Sequence, residues 1–196
     1  MEIGIIGAGK VASAFARYLL DSGHRVLLSN RNNPARLLDL VTSLGDGASA
    51  VETHVAASAP VVLLAVPWEN IEPALSGLPA WNGRILIDAT NQFLKDGTVL
   101  DLHGQVSSEL VATLAPDARV VKALNNFFMT RFEDGPDVGA AKRVAFMSGD
   151  DAEAKYLVGG LFKTFGFAVI DLGSLHEGGR LQQVGGPFAG VDILQG

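Results

Sequence analysis

The feature that most constrains this chain is Gly7-Ala8-Gly9-Lys10-Val11-Ala12, set between a short apolar run and a stretch of helical periodicity. Glu2–Ile6 reads as a strand. Lys10–Asp21 reads as a helix, with Val11, Phe15, Tyr18 and Leu19 along one stripe. Strand, G-x-G-x-x-A, then helix is the dinucleotide fingerprint in its alanine-ended form. The first glycine makes the tight turn, the second lets a pyrophosphate approach the backbone, and the small third residue lets the helix lie close to the strand. A pyrophosphate would rest on the free N–H groups and the positive dipole end of that helix. Gly7, Ala8, Gly9, Lys10 and Val11 are therefore candidate cofactor-binding residues.

The alternation continues along the chain. Arg25–Ser29 is the second strand, and Pro34 opens a helix through residue 44. A weak strand lies near 49–52, a fully apolar one at 61–66, and a helix at 68–78 follows the break at Pro67. Strands at 84–88, Arg119–Ala123, 143–148 and 168–172 alternate with helices at Ser107–Leu114 and 152–165. Such alternation implies parallel strands joined by crossovers. The expected class is α/β, a doubly wound, mostly parallel sheet of the Rossmann NAD(P)-binding type. The chain has no linker or internal repeat, so residues 1–196 read as a single NADP-binding domain, with 173–196 as a Gly-rich irregular tail.

Bulk composition narrows the partners. A net charge of −6 argues against nucleic acid, which needs a basic face. No apolar run approaches the ~20 residues that cross a bilayer, so no membrane partner is expected. The absence of cysteine removes disulfides, thiolate catalysis and cysteine metal sites. The chain opens directly into a strand without a charged leader, and a cytoplasmic location is expected.

The end of the second strand bears on the choice of cofactor. NAD-binding domains place a carboxylate there, about 20 residues after the glycines, to accept hydrogen bonds from the ribose 2′-OH. This chain has Ser29-Asn30-Arg31-Asn32, with Arg36 one helical turn later. A guanidinium can pair with a 2′-phosphate, and Ser and Asn side chains can donate to it. NADP(H) is the expected cofactor, with Ser29, Asn30, Arg31 and Arg36 around its 2′-phosphate.

In open α/β sheets ligands sit outside the carboxyl ends of the strands. Those ends carry Ala65-Val66-Pro67-Trp68, Asp88-Ala89-Thr90-Asn91 and Ala123-Leu124-Asn125-Asn126-Phe127-Phe128-Met129. Val66, Pro67 and Trp68 would pass beside the adenosine and ribose, although Trp68 reads equally as a packing residue. Asn91 and Asn125 suit ribose or carboxamide contacts, or local loop capping. Phe127, Phe128 and Met129 offer an apolar face to a flat ring, or belong to the core. No GxSxG elbow, HExxH or metal-ligand cluster is present, and no catalytic residue is assigned. His24 reads as solvated, Lys122 as facing solvent or a carboxylate, and Asp88 as a loop cap. His176 and Arg180, in the tail, are candidates to touch a substrate.

Taken together, Gly7-Ala-Gly-Lys-Val, Ser29-Asn-Arg31, Ala65-Val-Pro-Trp68-Glu, Lys122-Ala-Leu-Asn and Gly149-Asp-Asp-Ala-Glu-Ala-Lys155 resemble the NADPH-dependent reductases of the deazaflavin coenzyme F420. That family is related to the cytosolic oxidoreductase domain of the metalloreductases. The resemblance runs to about Gln182. It implies direct hydride exchange between NADPH and a deazaflavin, and a homodimer. It puts the pyrophosphate loop on Ala8–Val11, the 2′-phosphate pair on Asn30-Arg31, the strand-end tryptophan on Trp68, and the nicotinamide-side loop on residues 125–129. This chain has Asn30 where the family has serine, and Ala35 where it has a basic residue, with Arg36 one position late. Its tail differs from the helical tail of the archaeal enzymes, and Asn125 stands in place of a histidine.

The expected function is hydride transfer between NADPH and a flavin-like acceptor, with F420 or a flavin as the candidate second substrate. Such transfer needs alignment more than acid–base groups. Two other readings stay open: an NADPH-dependent reductase of a small imine or keto substrate, and a non-enzymatic NADP(H) sensor.

Overall fold

Strand–loop–strand packing begins with residues that alternate between two cores. The computed structural model describes residues 1–31 and 33–196; Asn32, next to Arg31 in the sequence, lies outside the described residues. Strands β1 (Glu2–Ile6), β2 (Arg25–Ser29), β3 (Ala48–Ala50), β4 (Val61–Leu64), β5 (Ile85–Asp88) and β6 (Arg119–Ala123) pair in parallel in the order β3-β2-β1-β4-β5-β6. Ile3, Ile5, Leu63 and Ile87 feed one core, while Ile6, Val62, Leu64 and Leu86 feed the other. This alternation follows from the two-residue side-chain period, and it explains why β4 is apolar throughout and buried on both faces.

Helix α1 (Lys10–Asp21) lies on the first face, with α2 (Leu38–Leu44), the short α6 (Met129–Glu133) and α7 (Ala152–Thr164). Ala12 and Ala16 bring α1 close to the sheet, and Phe15 and Leu19 are wholly buried. An aromatic cluster joins these elements. The Phe132 and Phe167 rings stack 5.2 Å apart, and Phe15 meets Phe165 edge-on at 5.6 Å. The opposite face carries α4 (Ile71–Leu75) and α5 (Ser107–Leu114) over Trp81, with α3 (Thr53–Ala56) beside β1 and β2. The first turns expected at Pro34 and Trp68 are 3₁₀ rather than α-helical. No helix among the described residues is long and apolar enough to cross a membrane.

Beyond β6 the sheet departs from uniform parallel order. The loop after β6 holds only the five-residue α6, then β7 (Asp137–Val138) turns back into β8 (Ala141–Gly149) as a hairpin. A parallel return would need a crossover of a dozen or more residues, usually a helix packed across the sheet. With α6 so short, β8 runs antiparallel to β6, and α7 then restores a parallel β9 (Ala168–Asp171). Ala123 pairs with Met147, so the first six residues of β8 extend past the end of β6 and build a wall beyond the rim.

The expectation of an irregular tail is corrected. Residues 173–196 contain α8 (Glu177–Gln182) and β10 (Leu194–Gln195), which pairs with β8. The glycines there serve close packing: a Cβ on Gly178 would lie 2.7 Å from the Leu172 carbonyl oxygen and 2.6 Å from the Ser148 Cβ. At the end of α8 the Gln182 side chain is fully buried. Its amide nitrogen donates to Asn125 Oδ1 (2.8 Å) and to the carbonyls of Lys122 and Phe146 (3.3 Å each). Its Oε1 accepts from Ser148 Oγ at 2.9 Å. Replacing Gln182 with alanine leaves those groups buried and unpaired, at a cost of about 2–4 kcal/mol. Urea denaturation should show a lower midpoint at unchanged slope.

Candidate functional site

Two glycines at the end of β1 do opposite jobs. Gly7 has φ +126°, and a Cβ there would stand 2.1 Å from the Ala65 carbonyl oxygen; its N–H donates to the Ser29 carbonyl at 2.9 Å. The loop is thus squeezed between the ends of β2 and β4, and only glycine fits. At Gly9 a Cβ would meet no protein atom within 4 Å. Gly9 is the N-cap of α1, which has no side-chain cap and no acidic residue in its first turn. Its carbonyl accepts from the Ser13 N–H at 3.0 Å. The amides ahead of Ser13 are left for a ligand, which is the arrangement that binds anions.

Two clefts meet at this helix end. One, of about 370 Å³, is floored by Gly7, Ala8 and Gly9 and walled by Asn30, Arg31 and Thr53. The other, of about 380 Å³, is lined by Lys10, Val11, Trp68, Asn91 and Phe93 among others. Gly9, Ala65, Val66 and Pro67 belong to both, so the clefts form one crevice across the N-terminus of α1. The crevice lies between β1 and β4, where the strand order reverses direction. Among the described residues no aspartate, glutamate or histidine lines either cleft.

Most of the residues expected to bind the cofactor meet here; Ser29, Arg36, Asn125 and Met129 do not. Ser29 is fully buried, and its hydroxyl donates to the Ile5 carbonyl at 3.0 Å, bracing β1 against β2. Arg36 lies outside both linings: Asn33 caps the 3₁₀ turn through the Ala35 N–H (2.8 Å), and Arg36 follows on an exposed position of that turn. Asn125 is buried and outside both linings; its side-chain nitrogen donates to the Gln182 carbonyl at 2.5 Å. Met129 starts α6 half-buried against the core. Trp68, expected beside the adenosine, lines the other cleft and also packs on the second core. Of the aromatic pair before Met129, Phe127 is core and Phe128 is exposed. His176 faces Glu109 at 3.2 Å on the surface, and Arg180 donates to the Gly104 carbonyl; neither lines the crevice.

Behind the second cleft lies a buried polar cluster. Asp88 Oδ1 accepts from the Thr90 N–H (2.9 Å) and hydroxyl (2.6 Å), the loop cap expected of it, while Oδ2 accepts from Ser108 Oγ (2.5 Å). Lys122 is wholly buried and pairs with Asp88 at 3.4 Å. Burial pushes its ammonium below the usual lysine range, and the Asp88 carboxylate partly offsets that. Asn91 and Asn125 exchange hydrogen bonds through their side chains (3.3 Å) and from Asn91 to the Asn125 carbonyl (3.2 Å).

Sequence reasoning missed Thr53, Asn70 and Pro73 in the first cleft and Phe93, Leu94 and Lys95 in the second. Thr53 follows β3 directly in the rim and donates to the Asn30 carbonyl at 3.2 Å, so applying the strand-end rule to the weak third strand would have found it. Residues 93–95 sit in an aperiodic loop that carries no comparable signal.

A sheet in the order 3-2-1-4-5-6, a glycine loop at the first helix, and a crevice at the reversal point define a dinucleotide-binding Rossmann domain. Residues 2–92 match the model of the family described as NADP oxidoreductase, coenzyme F420-dependent. The chain is 32% identical to the metalloreductase STEAP3 of Rattus norvegicus over 183 residues, 93% of this chain and 36% of that protein. The chain therefore spans about a third of that curated relative. A hypothetical protein from Sinorhizobium meliloti superimposes with a TM-score of 0.93 at 35% identity, covering 100% of this chain and 97% of the other. A protein from Arthrobacter sp. FB24, assigned as an F420-dependent NADP-reductase, matches with a TM-score of 0.79 at 28% identity over 89% of this chain and 86% of its own. The family model and the Arthrobacter protein both carry the description of an NADP oxidoreductase or reductase.

The two glycines are separable by experiment. Gly7→Ala should lose at least about 2 kcal/mol of stability, read as a fall in melting temperature. Gly9→Ala should stay within about 0.5 kcal/mol of the parent and lose dinucleotide affinity by calorimetry.

Proposed function

We propose that the crevice holds NADPH lengthwise and that the chain passes a hydride between it and a flavin-like acceptor, coenzyme F420 or a flavin. The observation that carries this reading is the meeting of two clefts at an uncapped helix N-terminus, with Arg31 in one of them and, among the described residues, no carboxylate in either. In this reading the first-turn amides of α1 bind the pyrophosphate. Arg31, which is exposed and forms no ion pair among the described residues, grips the 2′-phosphate, with Asn30 beside it. Thr53 and Asn70 flank the adenosine half. The Trp68 and Phe93 side chains and the Ala89–Asn91 backbone enclose the nicotinamide half and limit water there.

When bound, the nicotinamide supplies the hydride and the bond chemistry. The chain contributes orientation, and the second cleft opens beside exposed Phe93 (43%), an apolar edge for a planar acceptor. Among the described residues no histidine or carboxyl group lines the clefts, and their ammonium groups are Lys10 and Lys95. That favours an acceptor needing little proton assistance over an imine or keto substrate. The family's description and the Arthrobacter relative's assignment support F420 as the first acceptor to try.

Arg31→Ala should weaken NADPH binding by roughly 1.5–3 kcal/mol, on the order of tenfold to a hundredfold, while NADH changes little. Equal losses for the two nucleotides contradict the 2′-phosphate assignment. Anaerobic stopped-flow mixing with NADPH should give a hydride-transfer phase with F420, FMN or FAD and none with a carbonyl panel; the reverse pattern overturns the acceptor class.

A further inference from the structure

Every polar atom of Thr90 is held by one buried ion pair. Asp88 and Lys122 are register partners on neighbouring parallel strands, both with no exposed side-chain surface. The Thr90 N–H and hydroxyl donate to Asp88 Oδ1, and the Thr90 carbonyl accepts from Lys122 Nζ at 3.1 Å. Ser108, the second residue of α5, completes the Asp88 shell. The next residue, Asn91, is tied to Asn125, three residues beyond Lys122 on the same strand's exit. The chain leaving β6 thus grips two consecutive residues of the loop that leaves β5.

That loop, Ala89-Thr90-Asn91, lines the second cleft and contributes nothing to the first. Taking a lysine and a carboxylate wholly out of water is costly, and apolar residues of similar volume usually serve a core as well or better. The pair's hydrogen bonds converge on the loop. We infer that Lys122 is a positioning residue that, with Asp88, sets the backbone of residues 89–91 against the nicotinamide half of the cofactor. This inference rests on the crevice being an NADPH site.

The test compares NADPH with 2′,5′-ADP, which carries the adenosine end and its extra phosphate but no nicotinamide. Lys122→Met alone strands the Asp88 charge and risks misfolding, so the double variant Lys122→Met with Asp88→Asn is used alongside Thr90→Val, and folding is checked by near-ultraviolet circular dichroism. Calorimetry on the folded variants should show NADPH weakened about tenfold or more by the double variant, less by Thr90→Val, with 2′,5′-ADP within about twofold of the parent. A loss shared equally by both ligands, or no loss for either, overturns the positioning role. Failure of the parent chain to bind either ligand instead overturns the NADPH reading on which it rests.

Discussion

The contact of the Gly7 backbone with the Ala65 carbonyl governs how the rest of the rim is built. A side-chain carbon at Gly7 would sit 2.1 Å from that oxygen, so the chain leaves β1 with nothing between it and β4. This approach brings the start of α1 up to the point where the sheet order reverses. It lets one small backbone segment floor two clefts that would otherwise be separate. Ser29 contributes from beneath, accepting the Gly7 N–H on its carbonyl and donating its hydroxyl to Ile5. It shapes the loop from below the binding surface.

The two halves of the crevice are held by different physics. On the Arg31 side the walls are local: Asn30 and Arg31 at the exit of β2, Thr53 at the start of α3 and the Pro67 turn each lie within three residues of a strand end. On the Trp68 side the wall depends on long-range polar contacts. The loop after β5 is fixed by Lys122 and Asn125, Asn125 by Gln182, and Gln92 donates to the Val184 carbonyl of the tail at 3.3 Å. The last twenty residues are therefore coupled to the second cleft through buried amides and a buried ion pair.

This difference explains what was legible in the sequence. β1, α1 and β2 appear with the boundaries read from periodicity, because each is set by neighbours in the chain. The meeting of Gly7, Ala8 and Gly9 with Asn30 and Arg31 in one cleft follows from the same local strand ends. The Ser29 hydroxyl turns inward to the Ile5 carbonyl rather than into the cleft, because which face of the strand is inward depends on the sheet and not on the chain's neighbours. Asn125 lies outside both clefts because its side chain is engaged by Gln182, 57 positions away and invisible to local pattern. The antiparallel course of β8 depends on where a short α6 leaves the chain, which hydrophobic period does not encode. The tail read as irregular because glycine was weighed as a breaker, whereas Gly178 is the small residue that lets α8 touch the sheet.

The most direct measurement of the account is a crystal structure of the chain soaked with NADP⁺. The account predicts diphosphate density against the Lys10 and Val11 amides, the 2′-phosphate within hydrogen-bonding distance of the Arg31 guanidinium, and the nicotinamide ring beside residues 89–91. Nucleotide bound elsewhere, or lying in the crevice with its ends exchanged, would contradict it.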